Sequence, residues 1–170
     1  MIAPAGFTGH VYRALNPLWA ADPLSGEGAA RYGGRFNPIG VPALYCSLSP
    51  HTAIREANQV GDLQPTTLIA YRAAIERIFD CRDEKALGEA GLEPEELADP
   101  AWRETMLGDG EAPTQRFARR LIADGWAGML VRSFARGSGP DDLNLVLWRW
   151  GKKAPARLEV IDDEGRLGAP

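Results

Sequence analysis

Extended apolar runs occupy both ends of the chain, and 3.6-residue periodicity is confined to its middle. Residues 10–14 read as a first strand, with Val11 and Arg13 on one face and Tyr12 on the other, because side chains alternate along an extended backbone. Residues 41–45, 66–75, 127–131, 144–150 and 156–161 follow as strands, the second of them rich in β-branched residues and therefore central. Ser49-Pro50 opens a helix, since the serine hydroxyl accepts an orphan amide proton and proline at the first helical position has no donor to lose. Residues 100–107 and 113–123 are further helices. In the second, Phe117, Leu121 and Ile122 fall on one side and Arg116, Arg119 and Arg120 on the other, and Gly125 stops it. Residues 80–100 are acidic, broken by Gly88, Gly91 and Pro94, and read as short surface helices without chemistry. Residues 1–9 form a loose lead-in, 16–22 a loop, 25–32 a turn of helix opened by Ser25, and the tail from Asp162 is frayed. Strands at both ends with helices clustered between them favour α+β over a regular βαβ alternation. The 170 residues suffice for one core and are short for two, so a single domain over 1–170 is expected.

Within this pattern the stretch 24–56 concentrates unusual residues. Gly33 and Gly34 permit positive φ and a close approach to the backbone, and they aim Arg35 from a rigid corner. The run through Tyr45 and Cys46 is apolar with little alternation, as in a strand covered on both faces. Past Ser49, the residues Ala53, Ile54 and Ala57 form the packed side of the helix. Glu56 lies between Ala53 and Val60 at helical spacing, so a carboxylate stands on a buried edge.

Composition narrows the function classes. A net charge of -4 and a pI near 5.2 argue against nonspecific nucleic-acid binding, which needs a cationic surface to release counterions. Arg119-Arg120 and Lys152-Lys153 are isolated pairs rather than a tract. Cys46 and Cys81 make no disulfide framework and no metal spacing, and His10 and His51 have no metal partner in sequence. No leader pattern and no apolar run of membrane length is visible, so a cytoplasmic protein is expected. Walker, dinucleotide-fingerprint, HExxH and GxSxG motifs are all missing.

Tyr12-Arg13, the run LSGEGAARYGGRFNP, the run PALYCSLSPHTAIRE and Val131-Arg132-Ser133 together resemble the RES-domain family, named for an Arg, a Glu and a Ser. The resemblance is dense from Tyr12 to Glu56 and weak in the middle third. It implies an ADP-ribosyltransferase-like fold, a split mixed sheet with inserted helices around a dinucleotide cleft. It also implies a toxin of a toxin–antitoxin pair that binds NAD as substrate and cleaves its nicotinamide–ribose bond. The ADP-ribose would pass to water, to phosphate or to a target protein. On that reading Arg13 and Arg35 hold the pyrophosphate as bidentate forks, and Tyr45 offers a flat face to the nicotinamide. Glu56 stabilises the positive charge that builds on the ribose, and Ser133 bonds the carboxamide or orients Glu56. The catalytic set is then Glu56, Arg35 and Ser133, and the substrate-binding set Arg13, Arg35, Tyr45 and Ser133, with no metal. The partner implied is a separate antitoxin carrying a DNA-binding helix-turn-helix.

Each residue also has a plainer reading. Arg35 could cap neighbouring carbonyls, Tyr45 could be core, Glu56 could lie on a solvated helix edge and Ser133 could be an ordinary strand-end hydroxyl. A noncatalytic partner-binding module that keeps the fold is the alternative from another class.

Overall fold

The computed structural model describes residues 2, 4–59 and 61–168, so Val60, expected beside Glu56, lies outside the described residues. Strand β3 (Thr67–Asp80) organises the rest. One edge pairs antiparallel with β1 (Ala5–Leu15). The other pairs first with β6 (Ala156–Val160), antiparallel, and then with β4 (Gly128–Arg132), parallel. Arg77, between those two partners, takes φ 58°, a left-handed conformation that costs a non-glycine residue about 1–3 kcal/mol. Its guanidinium offsets part of that cost. Nε donates to the Gly125 carbonyl and Nη2 to the Asp124 carbonyl, both at 3.0 Å, over the Trp126 ring at 5.2 Å.

β4 pairs with β5 (Leu143–Leu147), β5 with β2 (Leu44–Ser47), and β2 returns to β1 through the single residue pair Tyr12–Ser47. The strands therefore close a ring, β1-β3-β4-β5-β2, with one weak seam. The fold is α+β on a mixed sheet, as expected from the pattern of elements.

Alternation sorts side chains to the two faces of the ring. Val11, Cys46, Tyr71, Leu145, Leu147 and Leu158 fill the inner face. Phe79, Met129, Val131 and Val146 point outward and are covered by helices. Phe79 meets Phe117 and Trp126 edge-on at 5.6 and 5.4 Å, and each buried aromatic of this kind contributes about 2–3 kcal/mol. The covering helices are α3 (Glu84–Glu89), α4 (Pro94–Ala98) and α6 (Pro113–Ala123); α2 (Pro50–Ala57) lies against β1 and β2, and α1 (Glu27–Tyr32) and α5 (Trp102–Asp109) are the other α-helices among the described residues. The acidic segment is less solvated than its composition suggests, because Leu87, Leu92 and Leu97 are core residues.

Several boundaries differ from the sequence reading. β1 begins at Ala5 because residues 5–9 are paired along β3, so partner geometry overrides their glycine-rich composition. The first of the middle strands runs 44–47 rather than 41–45, and β5 ends at Leu147. Ser25 accepts from the Glu27 amide, but Gly26 is the residue at the cap of α1. The tail from Asp162 is held in a turn by its own carboxylate, which accepts from the Arg166 and Leu167 amides. No helix among the described residues is long and apolar enough to cross a membrane.

Candidate functional site

The two glycines before Arg35 do different work. Gly33 has φ 70°, which only glycine adopts cheaply. Gly34 is needed for space, since a Cβ there would collide with the Tyr45 hydroxyl and with Asn37 Oδ1. That hydroxyl accepts from the Phe36 amide at 3.0 Å and donates to Asn37 Oδ1 at 2.6 Å. Asn37 Nδ2 in turn donates to the carbonyls of Ala29 (2.8 Å) and Val41 (2.9 Å), and the buried Gln115 donates to the Gly34 carbonyl at 2.9 Å. A fully bonded polar cluster thus fixes the corner from which Arg35 projects.

Arg35 leaves that corner between two aromatic rings, 5.9 Å from Trp102 and 5.1 Å from Phe134. Its Nη1 donates to the carbonyls of Leu97 (3.1 Å) and Asp99 (2.8 Å), at the end of α4. Burial lowers its pKa, opposed by the nearby Glu56, Asp99 and Tyr45, and a guanidinium remains charged at physiological pH regardless. Both bonds use one terminal nitrogen, and Nε and Nη2 make no hydrogen bond among the described residues, while the side chain lines the cavity. Burial also raises the Tyr45 pKa, so its hydroxyl stays protonated and serves the turn, while the ring lines the cavity.

Glu56 is presented by α2, whose start is as the sequence suggests: Ser49 Oγ accepts from the Thr52 amide and Pro50 follows. The buried side of this helix is Thr52 and Ala53, whereas Ile54 and Ala57 are exposed, because the eight-residue helix touches the ring along one narrow strip. Glu56 sits at the edge of that strip. Its Oε1 accepts from Ser133 Oγ and from Asn144 Nδ2, both at 2.5 Å, and Oε2 accepts from Gln59 Nε2 at 2.7 Å. Ser133, 2% exposed, also accepts from the Ala135 amide at 3.2 Å, so its hydroxyl proton is free to go to the carboxylate. Asn144 stands opposite Ser47 and Val131 in the sheet, and Ser47 Oγ lies 2.7 Å from its Oδ1. Three donors, one following α2, one following β4 and one within β5, hold one carboxylate in place.

A cavity of about 420 Å³ opens over this carboxylate, lined by Arg35, Tyr45, Glu56, Trp102, Phe134 and Asn144, with Arg103 and Arg132 at its margin. A second cavity of about 290 Å³ shares Tyr45 and Glu56 and extends along the β1–β2 seam past Tyr12, Arg13 and Ser47. The structure therefore brings Arg35, Tyr45, Glu56 and Ser133 together. Arg13 borders the smaller cavity, but its guanidinium turns to the inner face of the ring beside Tyr71 and Cys46. There Nη1 donates to the Pro23 carbonyl at 3.0 Å. Among the described residues no cluster of three or more His, Cys, Asp or Glu could hold a metal.

Asn144, Gln59, Trp102 and Phe134 complete the site and escaped the sequence reading. The one available signal was Asn144, a polar residue opening an otherwise apolar strand. The arrangement can bind an anion at Arg35, sandwich a flat ring against Tyr45, and stabilise a cation forming beside Glu56.

A family model described as RES domain matches residues 10–169 of this chain. Similar proteins include NAD(+) phosphorylase MbcT of Mycobacterium bovis and of Mycobacterium tuberculosis. Each is 27% identical over 136 residues, covering 73% of this chain and 73% of the relative.

Proposed function

The chain belongs to the RES domain family, and from that premise we propose that it consumes NAD, breaking the nicotinamide–ribose bond and passing the ADP-ribosyl group to inorganic phosphate. Nicotinamide leaves neutral with the bonding electron pair, a phosphate oxygen forms the new bond to the ribose carbon, and ADP-ribose 1-phosphate results. The choice of phosphate over water or a protein side chain is supported by the similarity to NAD(+) phosphorylase MbcT.

The observation that carries the reading is the Glu56 carboxylate, fixed by Ser133, Asn144 and Gln59 on the wall of a cavity that also holds Arg35 and the Tyr45 ring. As the glycosidic bond stretches, the ribose approaches an oxocarbenium ion, and a preorganised carboxylate beside it stabilises that charge by about 3–4 kcal/mol. Arg35 pairs with the pyrophosphate through Nε and Nη2, and Tyr45 stacks on the nicotinamide. Ser133 acts on Glu56 rather than on substrate in this account, and Arg13 is a substrate contact only through the smaller cavity. The strand ring with its seam at Tyr12–Ser47 is read as an ADP-ribosyltransferase-like split sheet, and residues 1–170 as one domain. In the cell the protein acts as the toxin of a toxin–antitoxin pair, with a separate antitoxin carrying a DNA-binding helix-turn-helix.

The test is turnover of adenylate-labelled NAD by purified protein, with and without phosphate and with and without cell extract, using Glu56→Gln as control. Phosphate-dependent release of ADP-ribose 1-phosphate, lost by about 10²–10³-fold in the variant, is expected. Label transferred to one extract protein would move the acceptor to a protein side chain. An inert wild type in every condition would refute the enzyme reading.

A further inference from the structure

Glu56 and Ser133 are 77 residues apart, on α2 and at the end of β4, and their hydrogen bond depends on how those two elements are held together. One residue outside the cavity joins them. Asp142 ends the β4–β5 connection, and its carboxylate reaches both elements. Oδ1 accepts from Thr52 Oγ1 at 2.8 Å, one helical turn before Glu56, and Oδ2 accepts from Arg55 Nη1 at 3.1 Å. Oδ2 also accepts from the Gly139 amide at 2.7 Å, inside its own loop. The main chain of the same residue continues the link, since its carbonyl accepts from the Ser133 amide at 2.7 Å and its amide donates to the Gly139 carbonyl at 3.2 Å. The loop so folded brings Ser138 Oγ within 2.9 Å of Ser133 Oγ. With Ser138 donating, the Ser133 proton is directed to Glu56.

We infer that Asp142 is a positioning residue for the proposed reaction, a latch that fastens the Ser133–Asp142 loop to α2 and so sets the Ser133–Glu56 hydrogen bond. The inference rests on the NAD-consuming reading of the site. The carboxylate is suited to the task because three donors from two segments converge on it, and its side chain is only one quarter exposed. The Gly139 amide and the Thr52 hydroxyl hold its carboxyl below the usual aspartate range, so the latch is charged at neutral pH. A small loosening matters at this site. Misplacing a catalytic group by about 1 Å can cost about 10²-fold in rate, while substrate contacts elsewhere in the cavity are untouched.

The experiment compares kcat and KM for NAD in wild type, Asp142→Asn, Ser133→Ala and the double variant, with Thr52→Val as a second way of opening the same contact should Asp142→Asn not fold. The expected result is a fall in kcat of about tenfold in Asp142→Asn or Thr52→Val, with KM within about twofold. In the Ser133→Ala background the same substitution should then cost less than about twofold more, because the group it positions is already gone. A purely structural role gives independent losses, and a double variant reduced by the product of the two single effects would overturn the inference.

Hydrogen exchange over residues 133–138 and 50–57 supplies a readout independent of turnover, which separates failure of the inference from failure of the functional reading. Faster exchange in both segments of Asp142→Asn, with β3 and β6 unchanged, supports the latch even if wild type proves inert toward NAD. Unchanged exchange in both segments overturns it.

Discussion

Replacing Tyr45 by Phe separates the two ends of one side chain. The hydroxyl serves the Gly34–Asn37 turn, and its removal leaves the Phe36 amide and Asn37 Oδ1 without those bonds in a buried setting. Each stranded polar group costs about 1–3 kcal/mol, so the variant should lose about 2–4 kcal/mol, allowing for partial relaxation around the small void. At about 2–4 °C per kcal/mol for a chain of this size, Tm should fall by about 4–16 °C. Urea unfolding followed by tryptophan fluorescence measures the loss directly. The ring, by contrast, remains against the cavity, so KM for NAD should stay within about threefold. Tyr45→Ala, which removes a stacking face worth about 1–3 kcal/mol, should raise it about tenfold or more. A Tyr45→Phe protein within about 0.5 kcal/mol of wild type would refute the assignment of the hydroxyl to the turn. A large KM effect in the same variant would place the hydroxyl, not the ring, on the substrate.

Gly34→Ala should be more damaging than its size implies, because the added methyl meets the Tyr45 hydroxyl and Asn37 Oδ1; a chemical melt indistinguishable from wild type would contradict the packing. Asn144→Ala strips one of the two donors to Glu56 Oε1 and should lower kcat/KM by about tenfold, read by the labelled-NAD assay. Burial pushes the Cys46 thiol up to about 12 and raises Cys81 as well, so neither should react with a thiol reagent at pH 8 until urea unfolds the protein; rapid native labelling would contradict the burial. Asp142 has a folded pKa below its unfolded value of about 3.9, so its contribution is present above about pH 4 and lost as pH falls through the folded value. The stability difference between wild type and Asp142→Asn, followed as Tm against pH, should therefore shrink on acidification.

Much of the site was legible because it is local. The Gly-Gly-Arg corner, the Ser-Pro helix start and Glu56 nearly two turns beyond it all lie within a short stretch, where turn and capping chemistry act directly on the backbone. Alternation also put Val11 and Arg13 on one face and Tyr12 on the other. It could not say how each meets the cavity: Tyr12 and Arg13 both border the smaller one, while the Arg13 guanidinium is engaged by the Pro23 carbonyl. Phe134 enters through the loop path and Trp102 through the docking of α5, and neither leaves a trace at short range; Asn144 shows only as a polar residue in an apolar run, and sheet register is what brings it to Glu56. Ring closure is hidden for the same reason, since it depends on one residue pair, Tyr12–Ser47, 35 positions apart.

Arg35 is anchored by the carbonyls of Leu97 and Asp99, and a carbonyl is the same whichever side chain follows it. The acidic segment is therefore constrained in path and length rather than in spelling. Exchanges of its outward side chains leave the anchor untouched, whereas deleting a single residue between Leu92 and Leu97 shortens the path that delivers both carbonyls to Arg35. Such a stretch can drift in letters while its contour is kept, and its bearing on the cavity becomes visible only in three dimensions.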